Sequence, residues 1–447
     1  MMIQNKEELI SNSSGDFKEV RADVLEILEY ALERAQPKFA IQRTVRVKGD
    51  ILWLGELPIN LSEVKRIFVI GFGKASGQTA IELERVLDGR ISDGVVIVKR
   101  DSAQKARKIR IITGQHPVPT MENVKATERL LEVVDEADAG DVIICLISGG
   151  GSALLTLPKR GISIEDLSKT NEVLIKSGAS IDEINAVRKH LSQVKGGQLV
   201  ARAHPARLVS LIISDVVGDR LDVIASGPTA PDKSTYADAV KVLRKYGLWR
   251  RVPSSVCRIL ESGQRGGLPE TPKDDDTIFE SAYNRIILSN DVMLSAAAER
   301  ALECGYSPHI VQDVTGESRV EAPKQLEDAL RLKTPSCLIS GGETTVKVTG
   351  SGKGGPNQEF VLACVEKVAG KRIVVAAIDS DGIDGFTDVA GAMADGNSLQ
   401  RATKRGLSPT KFLEDNDAYH FFKKNKDLLL TGQTGTNVND LRLFLCF

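Results

Sequence analysis

The stretch Val142–Leu155, VIICLISGGGSALL, constrains this chain more than any other. It begins with six apolar residues that no polar residue interrupts. A run of that kind suits a strand buried on both faces, as in a parallel sheet covered by helices. Ser148, Gly149, Gly150, Gly151 and Ser152 follow at once. Glycines let a backbone turn tightly and approach a ligand. A helix opening after them would aim its first amides at whatever sits over the turn, which suits an anion. A tight strand-to-helix turn that binds nothing satisfies the same letters, and at this level both readings stay open.

The theme recurs. Ile67–Ile70 reads as a strand, Gly71 to Ser76 as a turn with Gly73 and Lys74 in it, and Gln78–Leu87 as a helix. Val95–Val98 and Ile109–Ile112 read as further strands, and Leu208–Ile213 delivers Ser214 and Asp215. Ile181–Ala201 carries helical spacing throughout and holds Arg188, Lys189, His190 and Lys195. Trp249–Asp276 is rich in Gly, Pro and Asp, which places a domain boundary there. Beyond it, Arg285–Ser289 reads as the opening strand of the second half. Gly350–Glu359 reads as a glycine loop opening a helix that runs to Val368. Ile373–Ile378 reads as a buried strand and Leu441–Phe447 as a closing one. Strand, glycine or aspartate turn, then helix is the pattern of parallel α/β layers. We therefore expect a Rossmann-like parallel-sheet domain over residues 1–255 and a second, mixed α/β domain over residues 280–447.

Composition excludes several classes. With 447 residues and a formal net charge of −1, nothing suggests a basic nucleic-acid surface. The first residues are polar, with no apolar signal core, and no apolar run approaches the roughly 20 residues that span a bilayer. The six cysteines lack metal-site spacing, and several sit inside apolar runs, which fits buried free thiols in a reducing cytoplasm. No interaction with membrane or nucleic acid is expected; a homodimer is allowed.

The chemistry lies in the turns. The segment after Ile70 matches a dinucleotide fingerprint only in part, because Ser76 stands where the third glycine belongs and Gly77 comes one residue late. Lys74 at the mouth of such a turn can reach an anion that backbone amides already hold. His116 suits either a substrate contact or a turn cap. Asp215, just beyond a strand's carboxyl end, could orient a hydroxyl, ligate magnesium or cap a helix. The Arg188 cluster is either a solvated face or a phosphate contact. Gly352, Lys353, Asn357 and Glu359 in the second glycine loop could clamp phosphate or carboxylate, although the loop lacks P-loop spacing. Asp379, Asp381, Asp384 and Asp388 crowd one short segment, and such carboxylates repel unless a cation or hydrogen-bond donors hold them. Asp379 and Asp384 are the candidate magnesium ligands, and Asn437 lies in a late polar loop. There is no Gly-x-Ser-x-Gly elbow and no histidine metal pattern. Glycine turns, lysines and aspartates are the parts of phosphoryl transfer, which works by positioning and charge neutralisation.

Six segments together carry a resemblance: GFGKAS at Gly71, SGGGSALL at Ser148, SDVVGD at Ser214, SGGET at Ser340, DGIDG at Asp381 and TGQTGTNVNDL at Thr431. In order and over nearly the whole chain, they resemble the glycerate 2-kinases with a Leu-rich carboxyl-terminal region, the MOFRL type. The resemblance implies ATP- and Mg2+-dependent transfer to the 2-hydroxyl of D-glycerate, and two α/β domains with the site in the cleft. It implies that the family's key lysine and aspartate are Lys74 and Asp215. Pro356 departs from the pattern, since family members usually carry an arginine there, and Lys353 or Arg188 could substitute. The 3-hydroxyl as acceptor and an NAD(P)H-dependent hydroxypyruvate reductase, a label relatives have carried, are the alternatives.

Overall fold

The computed structural model describes residues 2–100 and 105–447. They form two compact units, one of Ala40–Ile287 and one of Met1–Phe39 with Leu288–Phe447.

The first of these opens with a small antiparallel sheet of β1 (Val45–Lys48), β2 (Ile51–Leu54) and β3 (Leu57–Asn60), with hairpin turns at Gly49-Asp50 and Gly55-Glu56. Its main sheet contains β4 (Ile67–Phe72), β5 (Ile91–Lys99), β6 (Arg110–Gly114), β7 (Val142–Ile147), β8 (Arg207–Ile213) and β9 (Ala282–Leu288). The order is β6-β5-β4-β7-β8-β9, and the pairings from β6 through β8 are parallel. Every residue of β4 and β7 is buried, as the unbroken apolar runs require. The chain builds outward from β4 to β6, then returns to place β7 on the other side of β4. Such a reversal leaves a crevice over the carboxyl ends of the two central strands, where open α/β sheets bind ligands. Both glycine turns leave their strands at this point.

Three local expectations change. The helix expected over Ile181–Ala201 is two, Ile181–His190 and Gln198–Ala203. Gly196 and Gly197, at φ +58° and +79°, take the left-handed conformation between them. The Trp249–Asp276 stretch is no bare linker, since it contains the helix Ser254–Gln264 with Val256 and Leu260 fully buried. The strand expected to open the second half is β9, which lies beside β8 in this sheet.

The other unit is built on a mixed sheet of β10 (Ser307–Glu317), β11 (Ser336–Thr345), β12 (Ile373–Asp379), β13 (Gly391–Asp395), β14 (Leu428–Leu429) and β15 (Asp440–Cys446). Its order is β10-β11-β15-β12-β13-β14. Only β10 and β11 pair in parallel; the remaining pairs are antiparallel. The last strand of the chain thus sits inside the sheet. The first 39 residues belong here because the helix Asp16–Arg34 carries Arg21 into this core. Arg21 Nε donates to Asp395 at 2.6 Å, and a second ion pair reaches Asp427 at 2.9 Å, with all three side chains fully buried. The sequence division at residues 255–280 therefore differs from the compact units in the first 39 residues and in the internal boundary, which falls at Ile287. The helix after the second glycine loop, Pro356–Cys364, stops short of Val368.

Among the described residues all six cysteines are free thiols, and four of them are buried. No described helix is long and apolar enough to cross a membrane.

Candidate active site

The two glycine turns are tied together over the reversal. The Lys74 amide donates to the Gly149 carbonyl at 2.9 Å, and the Ala75 amide donates to Ser148 Oγ at 3.1 Å. Ser76 Oγ lies 3.0 Å from the same hydroxyl. Gly73 is needed for this approach: its φ is +134°, and a Cβ there would fall 2.1 Å from Ser148 Oγ. Gly71 lies inside β4, where a Cβ would meet Leu146 at 2.9 Å. Gly71, Gly73 and Ser148 therefore hold the turns together.

The next three glycines each make room for something different. A Cβ on Gly149 would strike Asp215 Oδ2 at 2.2 Å. One on Gly150, at φ +81°, would meet His116 at 3.0 Å and Lys74 Cγ at 3.3 Å. One on Gly151 would meet Ala225 Cβ at 2.8 Å. Asp215, His116 and Lys74, from three separate loops, thus converge on one backbone turn. Among the described residues, neither the Gly149 nor the Gly150 amide meets an acceptor within the protein. The expected helix after the turn is a single turn, Gly151–Leu154, too short to add a helix dipole.

Electrostatics distinguish the three side chains. Lys74 makes no ion pair among the described residues. Burial pushes the Asp215 carboxyl above its ordinary range, while its own amide and the Lys74 charge oppose that. Burial, with Lys74 and Lys99, holds His116 down to about 4, so its ring is neutral near pH 7. His116 is therefore a neutral hydrogen-bonding group beside Lys74.

Behind the turn, Lys195 is 4% exposed and donates to the carbonyls of Ser152 at 2.6 Å and Leu155 at 2.9 Å. Burial, helped by Arg188, brings its amine down to about 7. Ser152 Oγ lies 2.8 Å from Ser226 Oγ, which donates to Asn185 Oδ1 at 3.0 Å. Ala225 and Ser226 hold φ at +51° and +63°, uncommon for non-glycine residues. This strained loop presses on Gly151 and fixes Ser152. Of the cationic cluster, only Arg188 remains available. Lys189 pairs with Asp232 at 3.2 Å, and His190 Nε2 lies 2.9 Å from Glu270. Arg188 Nε donates to Asn171 at 3.0 Å, and no carboxylate pairs with it among the described residues. Asn185 and Ser226 escaped the sequence reading, whereas His116 was named there as a substrate contact or a turn cap. The helical periodicity of Asn185 and the loop chemistry of Ser226 carry no sign of what they meet in space.

The remaining candidates belong to the other unit. Gly352 packs on Asp415 and Asp417, where a Cβ would come within 2.4 Å of Asp417 Cβ. Lys353 Nζ sits 4.2 Å over the Tyr419 ring and 3.8 Å from Asp388. Glu359 is buried against Arg319 and Asn416, and Asn437 accepts the Asn439 amide in a turn. Asp384 is fully buried, with both oxygens committed. Oδ1 takes the Asn357 amide at 2.9 Å, and Oδ2 takes the Gln358 amide and Nε2, each at 2.8 Å. It accepts the first amides of the Pro356–Cys364 helix, and coordination of a metal there would displace those donors. Asn357 also reaches Asp440 at 2.6 Å. Asp379 ends β12 with its carboxyl pushed well up, first by burial and then by Asp440 and Asp381. A cation beside it would relieve that repulsion. No group of three or more His, Cys, Asp or Glu among the described residues is arranged to hold a metal by itself.

Residues 23–261 match a family model described as a domain of unknown function, DUF4147, and residues 336–440 match the MOFRL family. The chain is 38% identical to a glycerate 2-kinase of Pyrococcus horikoshii, over 95% of this chain and 96% of that one. The chain belongs to the MOFRL-type glycerate kinase family. A crystal structure of the glycerate kinase from Thermotoga maritima, 37% identical, superposes with a TM-score of 0.86 over 96% of this chain and all of that one. A relative in Agrobacterium vitis, 37% identical over 94% of this chain and 93% of that one, carries the provisional name hydroxypyruvate reductase.

Proposed function

We propose that this protein transfers the terminal phosphoryl group of ATP, as its magnesium complex, to the 2-hydroxyl of D-glycerate, giving 2-phosphoglycerate and ADP. The observation that carries the reading is the meeting of Lys74 and Asp215 over Gly149 and Gly150. Asp215 accepts the proton of the glycerate hydroxyl as its oxygen bonds to phosphorus, and the bond from phosphorus to the ADP oxygen breaks. A carboxylate whose proton affinity burial has raised is a better base for this step. Lys74 balances the charge on the transferring group, and the Gly149 and Gly150 amides donate to its oxygens. His116, neutral, positions without adding charge. Arg188 and Lys195 contact phosphate. When bound, magnesium supplies further charge neutralisation on the donor phosphates.

The test is direct. The protein is incubated with ATP, Mg2+ and D-glycerate, and the product is identified by phosphorus NMR. Absence of phosphoglycerate overturns the reading, and 3-phosphoglycerate would move the transfer to the other hydroxyl. The strand order and the name of the Agrobacterium relative keep a reductase in view. NADH oxidation with hydroxypyruvate would reveal it, although the Gly71–Gly77 segment does not complete a dinucleotide fingerprint.

A further inference from the structure

Beside the reacting turn lies a cavity of about 780 Å³. Gly150, Ser152 and His116 line the end near the turn; Arg188 and Lys195 are among its cations, with Lys169 and with Lys176, which pairs with Glu172 at 2.6 Å. Its walls also include Val118 and Ile175, which are 60% and 62% exposed. Large apolar side chains left this open beside a cavity point to an occupant with an apolar face.

Size and layout both exclude glycerate as the sole occupant. Pockets of about 300–1,000 Å³ suit ligands of drug size, and a three-carbon hydroxy acid would leave most of this volume to water. Such an acid also has no apolar face to set against Val118 and Ile175. The cavity asks for an amphiphilic ligand, anionic where Arg188 and Lys195 stand and flat and apolar at the exposed side. The guanidinium is held through Nε by Asn171, which leaves its terminal nitrogens for an anion. Polar groups of the helix Ile164–Ile175, among them Ser168, Asn171 and Glu172, line the remaining wall and suit sugar hydroxyls.

We propose that this cavity seats the nucleoside of the phosphoryl donor, with the base against Val118 and Ile175 and the phosphates running past Arg188 and Lys195 toward Gly150 and Lys74. The inference rests on the kinase reading and adds to it the residues that select the donor.

The test uses the full-length protein and calorimetric binding of ADP and of adenosine, neither of which needs turnover. Both apolar side chains are exposed, so the double variant Val118→Ser, Ile175→Ser keeps the fold. It is expected to weaken ADP and adenosine alike by about tenfold, in the range that lost apolar contacts cost. Arg188→Gln is expected to weaken ADP and leave adenosine unchanged. The KM for glycerate in the double variant is expected to match the parent. Unchanged ADP binding in the double variant overturns the proposal, and a rise in the KM for glycerate alone would hand the cavity to the acceptor. If the parent binds ADP with this pattern yet phosphorylates no glycerate, the seat stands and the acceptor assignment falls. If the parent binds no ADP, both fall.

Discussion

Replacing Gly149 with alanine isolates the position of Asp215. The added Cβ would lie 2.2 Å from Asp215 Oδ2 and 2.9 Å from Cγ, where ordinary contact begins at 3.4 Å. Gly149 does not sit in the left-handed region, so the substitution adds no backbone strain and its effect falls on the carboxylate. Asp215 must retreat by about 1.2 Å, and a misplacement of about 1 Å at a reacting group costs on the order of 10²-fold in rate. That corresponds to about 2.7 kcal/mol of transition-state stabilisation. The assay is kcat/KM for glycerate from coupled ADP release, with a thermal melt to show that the fold persists. The expected result is a loss of about 100-fold carried by kcat with the melt little changed. A folded variant whose kcat/KM stays within about twofold of the parent would refute the reasoning, because the group under the added methyl would then not be the base.

Lys74→Ala and Asp215→Asn should each lower kcat by about 10²–10⁴-fold with unaltered melting, read in the same coupled assay; full activity in either variant removes its assigned role. Lys195 gives a pH signature. Burial has brought its amine down to about 7, and a bound polyanion favours the protonated form. The affinity it contributes is therefore present below pH 7 and fades as pH rises from about 7 toward the pKa of the bound state. The KM for ATP should climb between about pH 7 and pH 9 in the parent and much less in Lys195→Met, measured by initial rates across that range. Asp384→Ala should cost about 2–4 kcal/mol and several degrees of melting temperature by calorimetry, since it strands the Asn357 and Gln358 amides at a buried helix start.

Much of the architecture could be read from the letters. The apolar runs at Ile67, Val142, Leu208 and Ile373 are strands because an uninterrupted β-branched segment cannot be solvated on either face. The glycines that follow two of them mark turns, and both turns are there. Where the reading failed, the pattern was local and its cause was not. The stretch Ile181–Ala201 keeps helical spacing through Lys195-Gly196-Gly197, yet the chain breaks there so that Lys195 can reach the Ser152 and Leu155 carbonyls. The first 39 residues read as the start of the nearer domain, yet Arg21 finds its counter-charges at Asp395 and Asp427. Of the crowded aspartates, Asp379 and Asp384 read as metal candidates, and no spacing showed that Asp384 would meet the Asn357 and Gln358 amides.

Sequence by itself determined which segments are strands, which turns carry glycine, and where lysine and aspartate stand at the ends of those strands. These follow from side-chain hydrophobicity, backbone freedom and charge, which belong to each residue before folding. Only the tertiary structure decided which of them meet. Strand order set β4 beside β7 and β8 beyond it, and so brought Lys74, Gly149 and Asp215 together. The same packing turned Lys189, His190 and Glu359 inward to partners of their own and left Arg188 beside the cavity. Proximity across scores of residues is a property of the packed sheet, and no periodicity along the chain encodes it.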